Sequence, residues 1–127
     1  MRSIIIRSNS VGAMTIPELA AKKCVPCKGT KPMTTREAEL ALGDLRGWSL
    51  SNGQIEKEFR LKSYRAGLDF VYAIGRIAEE QDHHPDILIR WRRVKLTFST
   101  HVIKGLSQND FIMAAKAELE YQKCAAQ

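Results

Sequence analysis

All three histidines of this 127-residue chain fall within a stretch of 19 residues, at His83, His84 and His101. Imidazole changes its charge near neutral pH, so it gives up or takes a proton with a small penalty in either direction. Two adjacent histidines are as often exposed loop residues without a chemical role. Pro85 favours the chemical interpretation, because a rigid proline after His84 fixes where both rings point. The cluster predicts a site for proton transfer.

Four neighbouring residues have both a functional and a structural interpretation. Glu79 precedes His83 by one helical step of four and could orient that imidazole, although a solvated helix acid is favoured for Glu79 alone. Asp82 adjoins the histidines and could bind a substrate amine. Asp110 falls at the third position of a predicted helix, where a carboxylate favours the helix dipole, and the structural role is favoured. Trp91 could flank a planar ligand but is more typical of a core.

Metal binding is the weaker interpretation of the same residues. Three histidines equal the protein ligand count of a catalytic zinc site. However, adjacent histidines lack the four-residue spacing of a helical ligand pair, and no His-Glu-x-x-His occurs. Cys24-Val25-Pro26-Cys27 has zinc-knuckle and redox spacing, but no second pair completes a tetrahedral site and no βαβ pattern surrounds it. The sequence predicts no metal site.

The segments that position these residues alternate between helix and strand patterns. Thr34-Thr35-Arg36-Glu37 has the form of a capping box, Asn52-Gly53 predicts a tight hairpin turn, and Ser63 can cap a longer helix that ends before Pro85. The predicted elements are a helix at 35–45, strands at 48–50 and 54–61, a helix from 63 to 81 or 82, strands at 87–91 and 94–101, and a helix at 107–123. This order, α-β-β-α-β-β-α, predicts an α+β fold with one four-stranded antiparallel sheet carrying three helices on one face.

The net charge of +6 is unevenly distributed, because residues 1–31 contain six basic residues and one acidic residue. The remainder is nearly neutral, whereas a nucleic-acid-binding fold carries its basic stripe on the folded body. No apolar run is long enough to span a membrane. Residues 1–33 are predicted to be a basic N-terminal arm, extended or poorly ordered, whose composition is also that of an organellar transit peptide. Residues 34–127 are predicted to form one domain.

The spacing of the candidate residues matches a longer pattern. Glu79 is followed after three residues by His83-His84-Pro85, then by Trp91 after five more, His101 after nine more and Asp110 after eight more. This pattern resembles that of the pterin-4a-carbinolamine dehydratases, also called dimerisation cofactors of a homeodomain transcription factor. The resemblance extends over about residues 22–121, including the Cys24–Gly29 arm of some members.

The resemblance implies that water is eliminated from 4a-hydroxytetrahydropterin to give quinonoid dihydropterin, a step in tetrahydrobiopterin recycling. His84 and His101 would be the acid and base, in an order left open, and His83 would position the pterin. The remaining implied contacts are substrate-binding residues Glu79, Asp82, Pro85, Ser99, Thr100, Val102 and Ile103, with Trp91 and Asp110 in support. No cofactor or metal is required.

The resemblance also implies partners. Members are homodimers or homotetramers, and exposed sheet edges are compatible with this. The alternative function is a non-catalytic coactivator that binds a transcription factor through a helical face. Neither direct nucleic-acid binding nor membrane association is expected. The expected location is the cytoplasm, with the nucleus as an additional site for the coactivator and organellar import through the basic arm as a further option.

Overall fold

A computed structural model describes residues 14–125 of the chain. Its elements are α1 (Ile16–Ala20), α2 (Thr35–Leu42), β1 (Ser49–Ser51), β2 (Gln54–Arg60), α3 (Tyr64–Gln81), β3 (Asp86–Arg90), β4 (Arg93–Phe98), a 3₁₀ helix (His101–Ile103) and α4 (Gln108–Ala125). From α2 onward the order of helices and strands is the predicted one, which confirms the α+β class.

The four strands form one antiparallel sheet in the order β1-β2-β4-β3. Strand β4 lies at the centre, with Leu96 opposite Lys57 of β2 on one side and Ile87 of β3 on the other. Its side chains alternate, so that Val94, Leu96 and Phe98 are fully buried while Lys95 and Thr97 are only partly covered. One face of the sheet therefore turns toward the core.

The core lies between this sheet face and helices α3 and α4. Phe59 of β2 and Phe70 of α3 meet with their ring centroids 5.1 Å apart. Helix α4 is buried at seven consecutive positions, 109–115, because the short helix α1 packs on it as well as the sheet and α3. The first half of α4, which begins beside the histidines, is therefore packed from several sides.

Several boundaries differ from those predicted. Helix α2 ends at Leu42 instead of residue 45, because Gly43 adopts a positive φ of 40° and terminates it. Trp91, predicted as the last residue of a strand, lies instead in the turn between β3 and β4. Strand β4 ends at Phe98, and it is followed by an isolated bridge between Thr100 and Gly105. That early departure places His101 in a 3₁₀ turn instead of a strand.

The described part of the predicted arm, residues 14–33, is not simply extended. Thr15 and Glu18 form a reciprocal capping box that starts α1, and Leu19 and Ala20 are buried. The Nζ of Lys116 in α4 donates to the backbone carbonyl of Ala20 at 2.7 Å. The transit-peptide prediction rests largely on residues 1–13, which lie outside the described range. Within residues 14–125, no helix is both long and apolar enough to cross a membrane.

Candidate active site

The C-terminus of α3 turns His83 into the protein. Asp82 closes the helix in the left-handed conformation, with φ 52°, and its N–H bonds the carbonyls of Ala78 and Glu79. The N–H of His83 then donates to the carbonyl of Ala78 at 3.1 Å. This pair of bonds is the Schellman type of helix end, which reverses the direction of the chain. As a result His83 is buried, whereas the next residue, His84, is exposed.

The buried imidazole of His83 is bound to a buried carboxylate. Its Nε2 lies 2.7 Å from Oδ1 of Asp110, whose side chain is completely inaccessible to solvent. The other oxygen, Oδ2, accepts from the Thr100 hydroxyl at 2.8 Å and from the Ser107 N–H at 2.9 Å. An ionised carboxylate only accepts hydrogen bonds, so this network assigns the proton to Nε2 of His83. In the neutral form of the ring, Nδ1 then has the lone pair.

Asp110 also connects the two stretches of chain that contain the histidines. Thr100 immediately precedes His101, and its hydroxyl lies 2.7 Å from Oγ of Ser107 in addition to its bond to Asp110. All four members of this network are buried. The segment that contains His101 is therefore fixed beside the end of α3, where His83 and His84 lie.

His84 is paired with Glu79, at 2.5 Å between Nε2 and Oε2. Glu79 does not contact His83, the partner that helical spacing allows, because the left-handed Asp82 turns His83 inward and leaves His84 beside the last turn of α3. The favoured interpretation of Glu79 as a solvated helix acid agrees with its exposure. Both side chains are more than half exposed. Such a pair contributes little to folding stability, but it does restrict the direction of the His84 ring.

His101 begins the 3₁₀ helix and is exposed. The N–H of Lys104, in the left-handed region, bonds its carbonyl at 3.1 Å, and the N–H of Thr100 bonds the carbonyl of Gly105 at 2.8 Å. The loop backbone is therefore constrained. The ring makes no hydrogen bond with any residue in the described range, so it can turn toward a bound molecule.

The other predicted site residues divide into two groups. The residues beside the histidines are Asp82, Pro85, Ser99, Thr100, Val102 and Ile103, of which Asp82 and Val102 are exposed. Trp91 is separated from His84 by the length of β3, about 17 Å for five residues. It is 70% exposed, and the Arg92 guanidinium lies 4.4 Å from its ring centroid. Within one chain, Trp91 belongs neither to the core nor to the histidine cluster.

Two residues of the network have roles that the sequence alone does not reveal. The hydroxyls of Thr100 and Ser107 complete the bonds around Asp110, and the only local signal for them is the Ser-x-x-Asp capping pattern at Ser107. Asp110 has the structural role expected at the start of α4, since it accepts from the Ser107 N–H, and it also binds His83, which the sequence did not predict. No group of three His, Cys, Asp or Glu side chains among residues 14–125 is arranged to hold a metal ion.

Comparisons with known proteins agree on one family. A family model described as Pterin 4 alpha carbinolamine dehydratase matches residues 31–119. A curated relative from Rubrobacter xylanophilus that has this family's name is 45% identical over 103 residues, covering 80% of this chain and 96% of the relative. The mitochondrial pterin-4-alpha-carbinolamine dehydratase 2 of Arabidopsis thaliana is 40% identical over 126 residues, covering 91% of this chain and 67% of the relative.

A solved structure shows the same fold. It is the transcriptional coactivator/pterin dehydratase from Brucella melitensis, which is 29% identical and superimposes with a TM-score of 0.69, covering 72% of this chain and 99% of the other. The residues that the family model matches, 31–119, include all three histidines and Asp110. The chain therefore belongs to the pterin-4a-carbinolamine dehydratases, a family of hydro-lyases.

Proposed function

We propose that this protein is a 4a-hydroxytetrahydrobiopterin dehydratase that acts in tetrahydrobiopterin recycling by histidine acid–base catalysis. The observation that supports it best is the buried Thr100–Asp110–His83 network, which joins the segment of His101 to the turn of His83 and His84. This connection supports a common site for the protein groups that the elimination would need.

The reaction requires two proton transfers. The hydroxyl on C4a leaves as water after it receives a proton, and the proton on N5 is removed as the C4a=N5 bond forms. His84 and His101 are suited to these transfers because both rings are exposed. The Glu79 carboxylate beside His84 stabilises the positive charge of its protonated form. Which of the two is the acid is not assigned.

His83 has a different role in this proposal. Its Nε2–H is committed to Asp110, so the ring direction is fixed and Nδ1 can accept a hydrogen bond from the pterin. Backbone groups of residues 99–103, held by the Thr100–Gly105 bridge, provide further contacts to the pterin ring. Asp82 and Pro85 shape the opposite wall of the site.

The test is the rate at which freshly generated 4a-hydroxytetrahydropterin disappears, followed by ultraviolet absorbance and corrected for spontaneous dehydration. We expect His84→Ala and His101→Ala each to lower the catalysed rate about 100-fold, since general acid–base groups contribute at least that much. Gln108→Ala is the control, because Gln108 is an exposed polar residue near the network that has no hydrogen bond through its side chain in the described range. A folded wild-type protein that does not accelerate the reaction would exclude the catalytic proposal.

The alternative is a non-catalytic coactivator that binds a transcription factor. The Brucella protein is named a transcriptional coactivator as well as a pterin dehydratase. On this chain Tyr64, Leu68 and Tyr72 recur at four-residue steps along α3 and are 50%, 40% and 71% exposed. An apolar helix face of this kind suits an amphipathic partner helix. Capture of such a partner by the wild type, but not by Tyr72→Asp, would support this alternative.

We further propose that the chain forms a homodimer or homotetramer through the edges of its sheet. Strands β1 and β3 are both edges, and Leu88 of β3 is 47% exposed. Light scattering during gel filtration should give two or four times the 14.3 kDa chain mass.

The mitochondrial name of the Arabidopsis relative supports organellar import as a second proposal, with the cytoplasm as the alternative. Microscopy of a fluorescent fusion, with and without residues 1–13, distinguishes the two locations.

A further inference from the structure

A second set of contacts lies directly behind the bond between His83 and Asp110. Residues 24–27, which we call the Cys24–Cys27 strap, pass between the end of α3 and the start of α4. The N–H of Cys24 donates to Oε1 of Gln81 at 2.8 Å. Gln81 is the last residue of α3 and stands two positions before His83. The strap is therefore attached to the segment that presents the imidazole.

The other attachment is Asn109, the residue immediately before Asp110. Its Oδ1 accepts from the N–H of Val25 at 3.0 Å, and its Nδ2 donates to the carbonyl of Val25 at 2.6 Å and to Sγ of Cys27 at 3.1 Å. The thiol of Cys24 donates, at a long 3.8 Å, to the backbone carbonyl of Asn109. Asn109 is 4% exposed. One buried side chain thus ties the strap to the segment that presents the carboxylate.

These bonds are costly to lose. A buried amide without hydrogen-bond partners is destabilising, so the carboxamide of Asn109 holds the strap and α4 in one register. That register also sets the position of Asp110, because the two residues are adjacent in the first turn of α4. A shift of about 1 Å in a supporting residue is sufficient to lower a catalytic rate strongly.

The sulfurs are suited to this structural task in the neutral form. Burial raises the pKa of the Cys24 thiol to about 11, so it is protonated at neutral pH. Cys27 is buried and accepts a hydrogen bond, which requires no charge on the sulfur. A neutral thiol adds no second negative charge close to the buried Asp110.

We propose that Asn109 and the Cys24–Cys27 strap are positioning elements of the active site, which hold the end of α3 and the start of α4 together and so set the direction of the His83 imidazole. This gives the Cys-x-x-Cys motif a role in neither metal binding nor redox chemistry. The effect on catalysis rests on the proposed function. The effect on the His83 ring does not depend on the proposed function, so this proposal and the proposed function can fail separately.

The experiment compares Asn109→Ala with Lys116→Met. Both variants remove hydrogen bonds between residues 14–27 and α4, but Lys116 binds Ala20 and not the strap. Two quantities are measured: kcat/KM for dehydration of the carbinolamine, and the exchange rate of the low-field Nε2 proton of His83 observed by NMR. Because loosening of the ring opens its hydrogen bond, we expect Asn109→Ala to lower kcat/KM and to accelerate proton exchange, each about tenfold. Lys116→Met should leave both within about twofold.

Each outcome decides the proposal. Unchanged exchange in folded Asn109→Ala overturns it, whatever happens to the rate, and so does an equal effect of Lys116→Met. Faster exchange in Asn109→Ala alone supports it even if the wild type proves to have no dehydratase activity. Where Asn109→Ala does not fold, Gln81→Met releases the strap at its other end and should accelerate exchange in the same way. Cys27→Ala, which removes one acceptor of the Asn109 Nδ2, should also accelerate exchange, whereas Cys27→Ser, which retains an acceptor, should not.

Discussion

His83 and Asp110 are 27 residues apart in the sequence, yet Nε2 of the first lies 2.7 Å from Oδ1 of the second. The carboxylate also accepts from the N–H of Ser107, the residue before α4, so a single buried group binds the start of a helix and directs an imidazole. A buried charge is tolerable only when its oxygens are satisfied, and here three donors satisfy them. The fold therefore keeps a proton on Nε2 of His83 before any ligand binds.

Asp110→Asn should both destabilise the protein and reverse that tautomer. The amide oxygen can still accept from Thr100 and Ser107, but the NH₂ group would then face Nε2 of His83 and require it to be unprotonated. We expect the free energy of unfolding, measured in urea, to fall by about 2 kcal/mol, because a buried charged hydrogen bond is lost. The ¹⁵N shifts of the ring should show the proton moved to Nδ1. Thr100→Val, which leaves the His83 bond in place, should leave the proton on Nε2.

The exposed pair of Glu79 and His84 should matter for activity and not for stability. Glu79→Gln preserves the shape of the side chain but removes the charge that stabilises protonated His84, so kcat should fall about tenfold at pH 7. Glu80→Gln is the matched control, an exposed glutamate on the same turn with no ion pair in the described range. Equal activity of the two variants would remove Glu79 from the mechanism. The melting temperatures of both should stay close to that of the wild type.

Local sequence signals predicted most of the fold because they depend only on neighbouring residues. Thr34 and Ser63 cap their helices as expected, and Asn52 and Gly53 both adopt positive φ in the hairpin turn. Helix α1 was missed although Thr15 and Glu18 repeat the capping box of Thr34. With five residues it is too short to show a periodic pattern, and its stability comes from packing on α4.

The site was predicted less completely, because its bonds join distant residues. The three histidines stand out by type, but the partner of Glu79 depends on the left-handed conformation of Asp82, which helical spacing does not include. No local signal indicates that residue 110 faces residue 83, or that Asn109 binds Val25. Such pairs follow from how α3 and α4 pack against the sheet, and only the folded chain defines that arrangement.

The Cys24 thiol should react slowly in the native protein. Its pKa is raised from 9.0 to about 11 mainly by burial. At pH 9 the native thiolate fraction is then roughly 50-fold smaller than in the unfolded chain, and alkylation should slow in proportion. Because the folded-state pKa is the higher one, the associated stability is complete below pH 9 and is lost as the pH rises through 11. Peptide mapping after iodoacetamide treatment, in buffer and in urea, measures the extent of Cys24 alkylation in the native and unfolded chain. Equal labelling of Cys24 in both would contradict its partly buried position.

Glu118 should be the most sensitive polar residue of the core outside the site. It accepts from Nε1 of Trp48 at 2.8 Å and from Nζ of Lys57 at 2.6 Å while remaining 9% exposed. Glu118→Ala leaves Nε1 of Trp48 without its acceptor and leaves Nζ of Lys57 with only the Arg46 carbonyl, so it should lower the free energy of unfolding by about 3 kcal/mol. Glu120→Ala breaks only the pair with exposed Lys123 and should cost about 0.5 kcal/mol or less. Urea unfolding of the two variants gives the comparison.

Substitutions of Asp82 can separate its role in the backbone conformation at the end of α3 from its proposed binding of substrate. A non-glycine residue in the left-handed region is strained, so Asp82→Gly should raise the free energy of unfolding by about 0.5–1 kcal/mol and leave the Schellman bonds intact. Asp82→Val, with a branched side chain at φ 52°, should lower it by at least about 1 kcal/mol. If the carboxylate also binds the pterin, Asp82→Gly will raise KM despite its greater stability. A stabilised Asp82→Gly protein with an unchanged KM would restrict Asp82 to the helix end, and pterin binding would then depend on the histidines and residues 99–103.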